Sequence, residues 1–171
     1  FVDRKLYIHN SLHAIAAYFG YVAGHQYIWQ AIEDPAIREK LDLAGQQICR
    51  ALHAEHGFDL VHLNEHVDYL LMRSANKRLG DTVARVGRDP IRKLAYDDRL
   101  IGAGRLILKH GGDATFHAQA IRAAMSFHPR DDPSADKLAA MLASQGLPAT
   151  LRSVCGLEAG HPLAELVLAQ T

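Results

Sequence analysis

The sequence is poor in cysteine, in tryptophan and in net charge. Its 171 residues hold two cysteines and one tryptophan, and 19 Lys and Arg balance 19 Asp and Glu. Cys49 and Cys155 lie far apart without C-x-x-C spacing. Free thiols in a reducing cytoplasm are the favoured reading, although spacing alone leaves a single disulfide open. A formal charge of zero gives no support to nucleic-acid binding as the main role, because counterion-driven binding needs a basic surface. No uninterrupted apolar run approaches the roughly 20 residues of a membrane span, so no membrane partner is expected. No signal peptide is visible. The chain also lacks G-x-G-x-x-G, a P-loop and G-x-S-x-G. Nothing in it binds a nucleotide by itself, and the site of any redox cofactor lies mainly elsewhere. The first residue is Phe1, inside a predicted helix, which reads as a fragment whose true N-terminus lies upstream.

What the chain does have is helical punctuation. Hydrophobic residues make up 49% and charged residues 22%, an ordinary globular balance for one domain with a substantial core. The first helix is predicted from about Phe1 to Val22. Asp34-Pro35 is an N-cap followed by proline at the first helical position, Asp132-Pro133 repeats the device, and Asp59 can cap the helix between them. Residues 74–95 read as an irregular, basic connection with one short helix. Further helices are expected over about 100–110, 113–127, 133–146, 147–154 and 162–169. With β signals scarce, and no repeat, low-complexity tract or domain boundary, the expected class is all-α: one helical domain over residues 1–171, with about seven to nine helices.

Three constellations carry chemistry. Lys5, Asn10 and His13 read K-x4-N-x2-H inside the first helix. At about 100° per residue they fall at roughly 0°, 140° and 80° around the axis. Phe1, Ile8, Leu12, Ile15 and Phe19 fill a separate apolar arc that can bury against a core. An amine, a carboxamide and an imidazole on one side of a fixed helix are parts for proton transfer at an alcohol. The lysine would have to be neutral often enough to accept a proton, which burial or nearby positive charge achieves. The ordinary alternative is a solvated helix face.

The second constellation is the run Arg85-Val86-Gly87-Arg88-Asp89-Pro90-Ile91-Arg92-Lys93, followed by Asp98-Arg99. Arginine forks suit phosphate and carboxylate oxygens, and Gly87 and Pro90 shape a loop around them. The alternative is that these arginines pair with Asp89, Asp97 and Asp98 or cap helix ends. Third, His62-x-x-Glu65-His66 matches a zinc-protease pattern. A metal site would need a third ligand and a buried setting. A solvated helix face is favoured, and no metal is expected.

Long, nearly collinear runs then bring a resemblance. FVDRKLYIHNSLHAIAAYFGYVAGHQ, RVGRDPIRKLAYDDRLIG and IRAAMSFHPRDDPSADKLA resemble the C-terminal half of the mannitol-1-phosphate 5-dehydrogenases, within the polyol-specific long-chain dehydrogenases. The resemblance covers almost the whole chain. It implies a helical C-terminal substrate domain resembling the 6-phosphogluconate dehydrogenase C-terminal-like fold, paired with its own N-terminal Rossmann domain. That domain would hold NAD and is absent from this chain, so the isolated chain is expected to be inactive. The implied reaction is the NAD-dependent interconversion of mannitol 1-phosphate and fructose 6-phosphate, a small sugar or polyol phosphate being the partner.

By the same resemblance Lys5 matches the family's general acid/base, and Asn10 and His13 match the groups that hold and polarise the reacting oxygen. Arg85 and Lys93, eight residues apart, match the pair that holds the polyol in family members whose substrate carries no phosphate. Arg88 and Arg92 are added as phosphate contacts by inference. Three departures stand out. Asn76-Lys77-Arg78-Leu79 replaces the usual N-P-Y-L, Ser11 replaces threonine, and Leu12 replaces glycine, which predicts a reshaped pocket. The runner-up readings are a related polyol or sugar-acid dehydrogenase domain and a non-catalytic helical module that binds anions or a protein partner.

Overall fold

The computed structural model describes residues 2–170, so Phe1, expected on the apolar arc, lies outside them. Among the described residues the backbone is helix and loop, an all-α architecture. Its one extended pairing is an isolated antiparallel bridge between Tyr27 and Thr82. α1 (Val2–Arg4) passes through a π-helical turn (Lys5–Asn10) into α2 (Ser11–Val22). Then come α3 (Ile28–Glu33), α4 (Pro35–His56), α5 (Leu60–Ser74) and a 3-10 turn (Lys77–Leu79). The short helices α6 (Val83–Gly87) and α7 (Pro90–Lys93) precede α8 (Ile101–Lys109), α9 (Thr115–Met125), α10 (Pro133–Cys155) and α11 (Pro162–Leu168).

The aspartate caps act where the sequence puts them. Asp34 accepts from the amides of Ala36 at 3.0 Å and Ile37 at 3.4 Å, with Pro35 opening α4. Asp59 accepts from His62 at 2.8 Å, and Asp132 from Ser134 and Ala135, each at 3.1 Å. Each carboxylate satisfies amides that a helix start leaves without partners. Inside α10, Gly146 stands at φ 77° and ψ 172°, so the segment is two helices meeting at a kink.

Three local features differ from expectation. α3 is an added helix: its cap is Tyr27, and Gln30 reaches back to the amides of Gln26 and Tyr27 at 3.0 and 2.9 Å. That reciprocal bonding is invisible in a pattern that looks for Ser, Thr, Asp or Asn. The 74–95 connection holds three helical pieces rather than one, because Asn76 and Thr82 each cap a short turn and Pro90 starts another. The first helix contains the π turn, in which the Ser11 amide bonds the carbonyl of Leu6, five residues back.

α2 is the centre of the molecule. Every residue from Ala14 to Gly20 is buried, and so are Ser11 and Leu12. A helix apolar on nearly all sides has to be enclosed, and α3, α4, α6 and α9 enclose it. Gly87 of α6 lets the chain close over α2: a Cβ there would stand 2.6 Å from the Phe127 ring. The Tyr18 hydroxyl of α2 donates to the Gly87 carbonyl at 2.9 Å. On α9, fully buried His117 shares a hydrogen bond with Ser11 Oγ through Nε2 at 3.3 Å. Its Nδ1 has no hydrogen-bond partner among the described residues.

Two outcomes follow from this packing. Burial holds the His117 ring down at about 4, against 6.5 when free. The unfolded chain therefore takes up a proton that the folded chain refuses. This contribution is intact above pH 6.5 and is lost as pH falls toward 4, an effect of about 3 kcal/mol for this one ring. Urea unfolding across pH 7 to 4 should show that decline, and His117→Gln should make it shallower, the part due to His13 remaining. An unchanged slope in that variant would assign the acid sensitivity elsewhere. Gly87→Ala should cost about 1–3 kcal/mol by overpacking Phe127, read as a lower unfolding midpoint.

Candidate active site

The π turn decides how the first constellation is presented. One extra residue in a turn sets everything after it back by about 100°. Asn10 and His13 then stand near 40° and −20° relative to Lys5, so the arc spanned by the three shrinks from about 140° to about 60°. The apolar side meets the core as expected: Ile8, Leu12, Ile15 and Phe19 are buried. Edge-to-face contact joins His13 to His9, with ring centroids 6.2 Å apart.

α6, α7 and the turn after them close against this face. Between them lies a cavity of about 260 Å³, lined by Asn10, His13 and Ala14 of the first helix and by Arg85, Val86, Arg88, Arg92, Lys93 and Arg99. Six of the seven candidate residues from the sequence meet here. Lys5 does not line the cavity; it is exposed, and its charge is felt at His9. Arg99, named with the basic run but given no substrate contact there, does line it. What the sequence does not show is its burial, which sets it apart from the other arginines.

The loop that carries the cations is tied down from outside the cavity. Asp89 takes a left-handed conformation at φ 59°. Its amide donates to Asp132 Oδ2 at 2.9 Å, and the Ile91 amide donates to Ser134 Oγ at 3.2 Å. Aspartates also hold the arginines: Arg85 pairs with Asp81, Arg92 with Asp89 at 2.9 Å, and Arg99 with Asp98 at 2.7 Å. Both sequence readings of this run therefore meet in one structure. The arginines pair with carboxylates and still face a cavity that no carboxylate lines.

Electrostatics inside the cavity are unusual. Lys93 is 5% exposed, and its Nζ donates to the Arg88 carbonyl. Burial, with Arg92 and Arg99 adding to it, lowers this ammonium to about 8. Burial and the nearby cationic groups bring His13 down to about 4. At neutral pH its ring is uncharged, so the 3.9 Å approach of Nε2 to Asp81 is not an ion pair. A neutral imidazole in a positive setting is suited to donating a hydrogen bond to a developing oxyanion.

Other sequence expectations are placed differently. Leu12, expected to reshape the pocket, turns into the core toward α4 and lies outside the cavity lining. On α5, His62 and Glu65 are exposed, His66 is half-buried, and no cluster of three metal-binding side chains occurs among the described residues. A far larger cavity, about 910 Å³, lies among Phe19, Ile37, Lys40, Arg122, Leu142 and their neighbours. Its walls hold none of the candidate residues, so size does not mark the chemistry here.

Comparison with known proteins identifies the family. Residues 1–157 match the family model of the mannitol dehydrogenase C-terminal domain. The chain is 38% identical over 168 residues to the mannitol-1-phosphate 5-dehydrogenase of Bacillus licheniformis, covering 98% of this chain and 44% of that protein. It is 36% identical over 170 residues to the mannitol-1-phosphate 5-dehydrogenase of Brevibacillus brevis, covering 99% of this chain and 44% of that one. The chain thus spans less than half the length of the relatives it matches. By the extent of the family match it belongs to the mannitol dehydrogenase C-terminal domain family.

Proposed function

We propose that this chain is the substrate domain of an NAD-dependent oxidoreductase that interconverts mannitol 1-phosphate and fructose 6-phosphate. The observation that carries the reading is the cavity itself. Five cations, a carboxamide and a neutral imidazole line it, with no carboxylate among them. Such a lining fits a substrate with an anionic end and a hydroxyl-bearing body.

The names of the relatives specify phosphate at carbon 1 and oxidation at carbon 5. Those carbons are four bonds apart, about 5 Å when extended. The phosphate would sit among the arginines, with Arg88 and Arg92 at the mouth and Arg85 and Lys93 holding the polyol. The reacting hydroxyl would point along the first helix toward Lys5. There Lys5 takes the hydroxyl proton, while Asn10 and His13 donate hydrogen bonds to the oxygen as charge builds on it. NAD, when bound, supplies the hydride acceptor. This chain's own residues do not fit a dinucleotide: the described part has neither a strand–turn–helix unit nor a glycine fingerprint. NAD therefore belongs to a preceding Rossmann half, which would also cover exposed Lys5. No metal takes part.

One observation favours a second reading. Lys5 lies outside the cavity and is exposed, as it would be in a helical module that binds anions without chemistry. Steady-state kinetics of the complete protein separate the two. The proposal expects NAD-dependent oxidation of mannitol 1-phosphate, with Lys5→Ala losing about 10²- to 10⁴-fold in kcat. Normal turnover in that variant would remove Lys5 from the mechanism. Lys93→Met should instead raise KM by about tenfold or more. Lys93 loses its charge as pH rises through about 8, so KM for the phosphorylated substrate should climb above that pH in the parent protein and not in Lys93→Met.

A further inference from the structure

We propose that Arg99 grips the substrate phosphate from within the cavity and so sets the preference for a phosphorylated over a free polyol. The inference rests on the reading that the cavity takes a polyol phosphate, and it names the cation that decides the matter. Five cations line the cavity, but they are not equivalent. The side chains of Arg85 and Arg92 are 64% and 54% exposed, and Arg88 is exposed as well. Water screens what such groups contribute to an ion pair. The Arg99 side chain is 14% exposed. A guanidinium withdrawn from water attracts a phosphate through a lower effective dielectric and has already given up much of its own hydration.

Orientation makes the same distinction. Asp98 Oδ1 accepts from the Arg99 backbone amide at 2.6 Å and from its Nε at 2.7 Å. The guanidinium is therefore held at one edge, and its two terminal nitrogens make no hydrogen bond among the described residues. A fork fixed at Nε with both η nitrogens free is the form that takes two phosphate oxygens together. Lys93, the other withdrawn cation, has already given one of its three donors to the Arg88 carbonyl. The influence of Arg99 on both His13 and Lys93 shows that its charge is felt on both sides of the cavity.

The opposing possibility is that Arg99 only ties down the turn between α7 and α8. Ligand-specific readouts in the complete protein decide between them. Arg99→Gln should raise KM for mannitol 1-phosphate about 10- to 100-fold, with kcat within about threefold of the parent. Inorganic phosphate, used as a competitive inhibitor, should lose affinity by the same factor, while kcat/KM for unphosphorylated mannitol falls far less. A phosphate inhibition constant unchanged in a folded Arg99→Gln protein would overturn the assignment. So would equal losses for the phosphorylated and the free polyol. Should Arg99→Gln not fold, Arg99→Lys decides by the same measurement: it keeps the charge and loses the fork. About a threefold to tenfold weaker phosphate inhibition is expected there, and parental inhibition would overturn the proposal. If the parent protein does not oxidise mannitol 1-phosphate at all, the functional reading fails on its own. Calorimetric titration of inorganic phosphate into parent and Arg99→Gln then still decides whether Arg99 holds the anion.

Discussion

Enclosure of α2 is the constraint on which the rest depends. A helix buried from Ala14 to Gly20 leaves its polar groups few exits. Ser11 finds His117, and the Tyr18 hydroxyl finds the Gly87 carbonyl. These two bonds reach in different directions, one to α9 and one to α6, and each is a buried polar contact that would be costly to leave unmade. Asn10 and His13 lie at the end of the helix where enclosure stops, so they face a cavity rather than the core. α6, which carries Arg85, is attached directly to the buried helix. The basic wall and the polar end of α2 are therefore held by one packing arrangement, and Gly87 against Phe127 is where it is tightest.

The charges around the cavity follow a single rule: carboxylates hold the cations from behind. Asp81, Asp89 and Asp98 each pair with an arginine, yet none lines the cavity. The arrangement costs stability, since Lys93 loses water and stands near Arg92 and Arg99. Asp89 and Asp132 offset part of that cost by favouring the charged form. Groups so perturbed by burial and like charge are uncommon on ordinary surfaces and cluster at functional sites. The neutrality of His13 follows from burial and the same crowding, so a cavity lined by cations also holds an uncharged imidazole.

Much of this was legible in the sequence because it is written in local grammar. Asp34-Pro35, Asp59 and Asp132-Pro133 announce their helices, and the caps form as the residue types require. Six of seven candidate residues share a cavity because each of the two motifs is short in sequence, the first running from the π turn into α2 and the second from α6 into α7. What escaped is what local grammar does not encode. The π turn has no composition signal, yet it narrows the arc of the first motif. Leu12 and Ser11 face inward for reasons that lie on α4 and α9, about 33 and 106 positions away along the chain. Arg99 reads as one more basic residue until burial separates it from its neighbours. The α3 cap escaped because tyrosine is a poor cap by type and works here only through Gln30.

Lys5 shows where a single chain reaches its limit. Along the first helix Asn10 and His13 line a cavity, whereas Lys5 lies outside it and is exposed. A lysine works as a base only where lost hydration or neighbouring positive charge frees it of its proton. His9 sits close enough to feel the Lys5 charge, which puts a second ionisable group beside it. Further desolvation has to come from whatever covers the exposed end. Under the proposed function, a partner domain that closes over Lys5 only when substrate is bound would supply that desolvation. In that arrangement the proposed anionic end of a substrate could be held first, because none of the residues that line the cavity waits on the covering. The chemistry then becomes conditional on assembly, which places the two ends of the site under different controls although they share one helix.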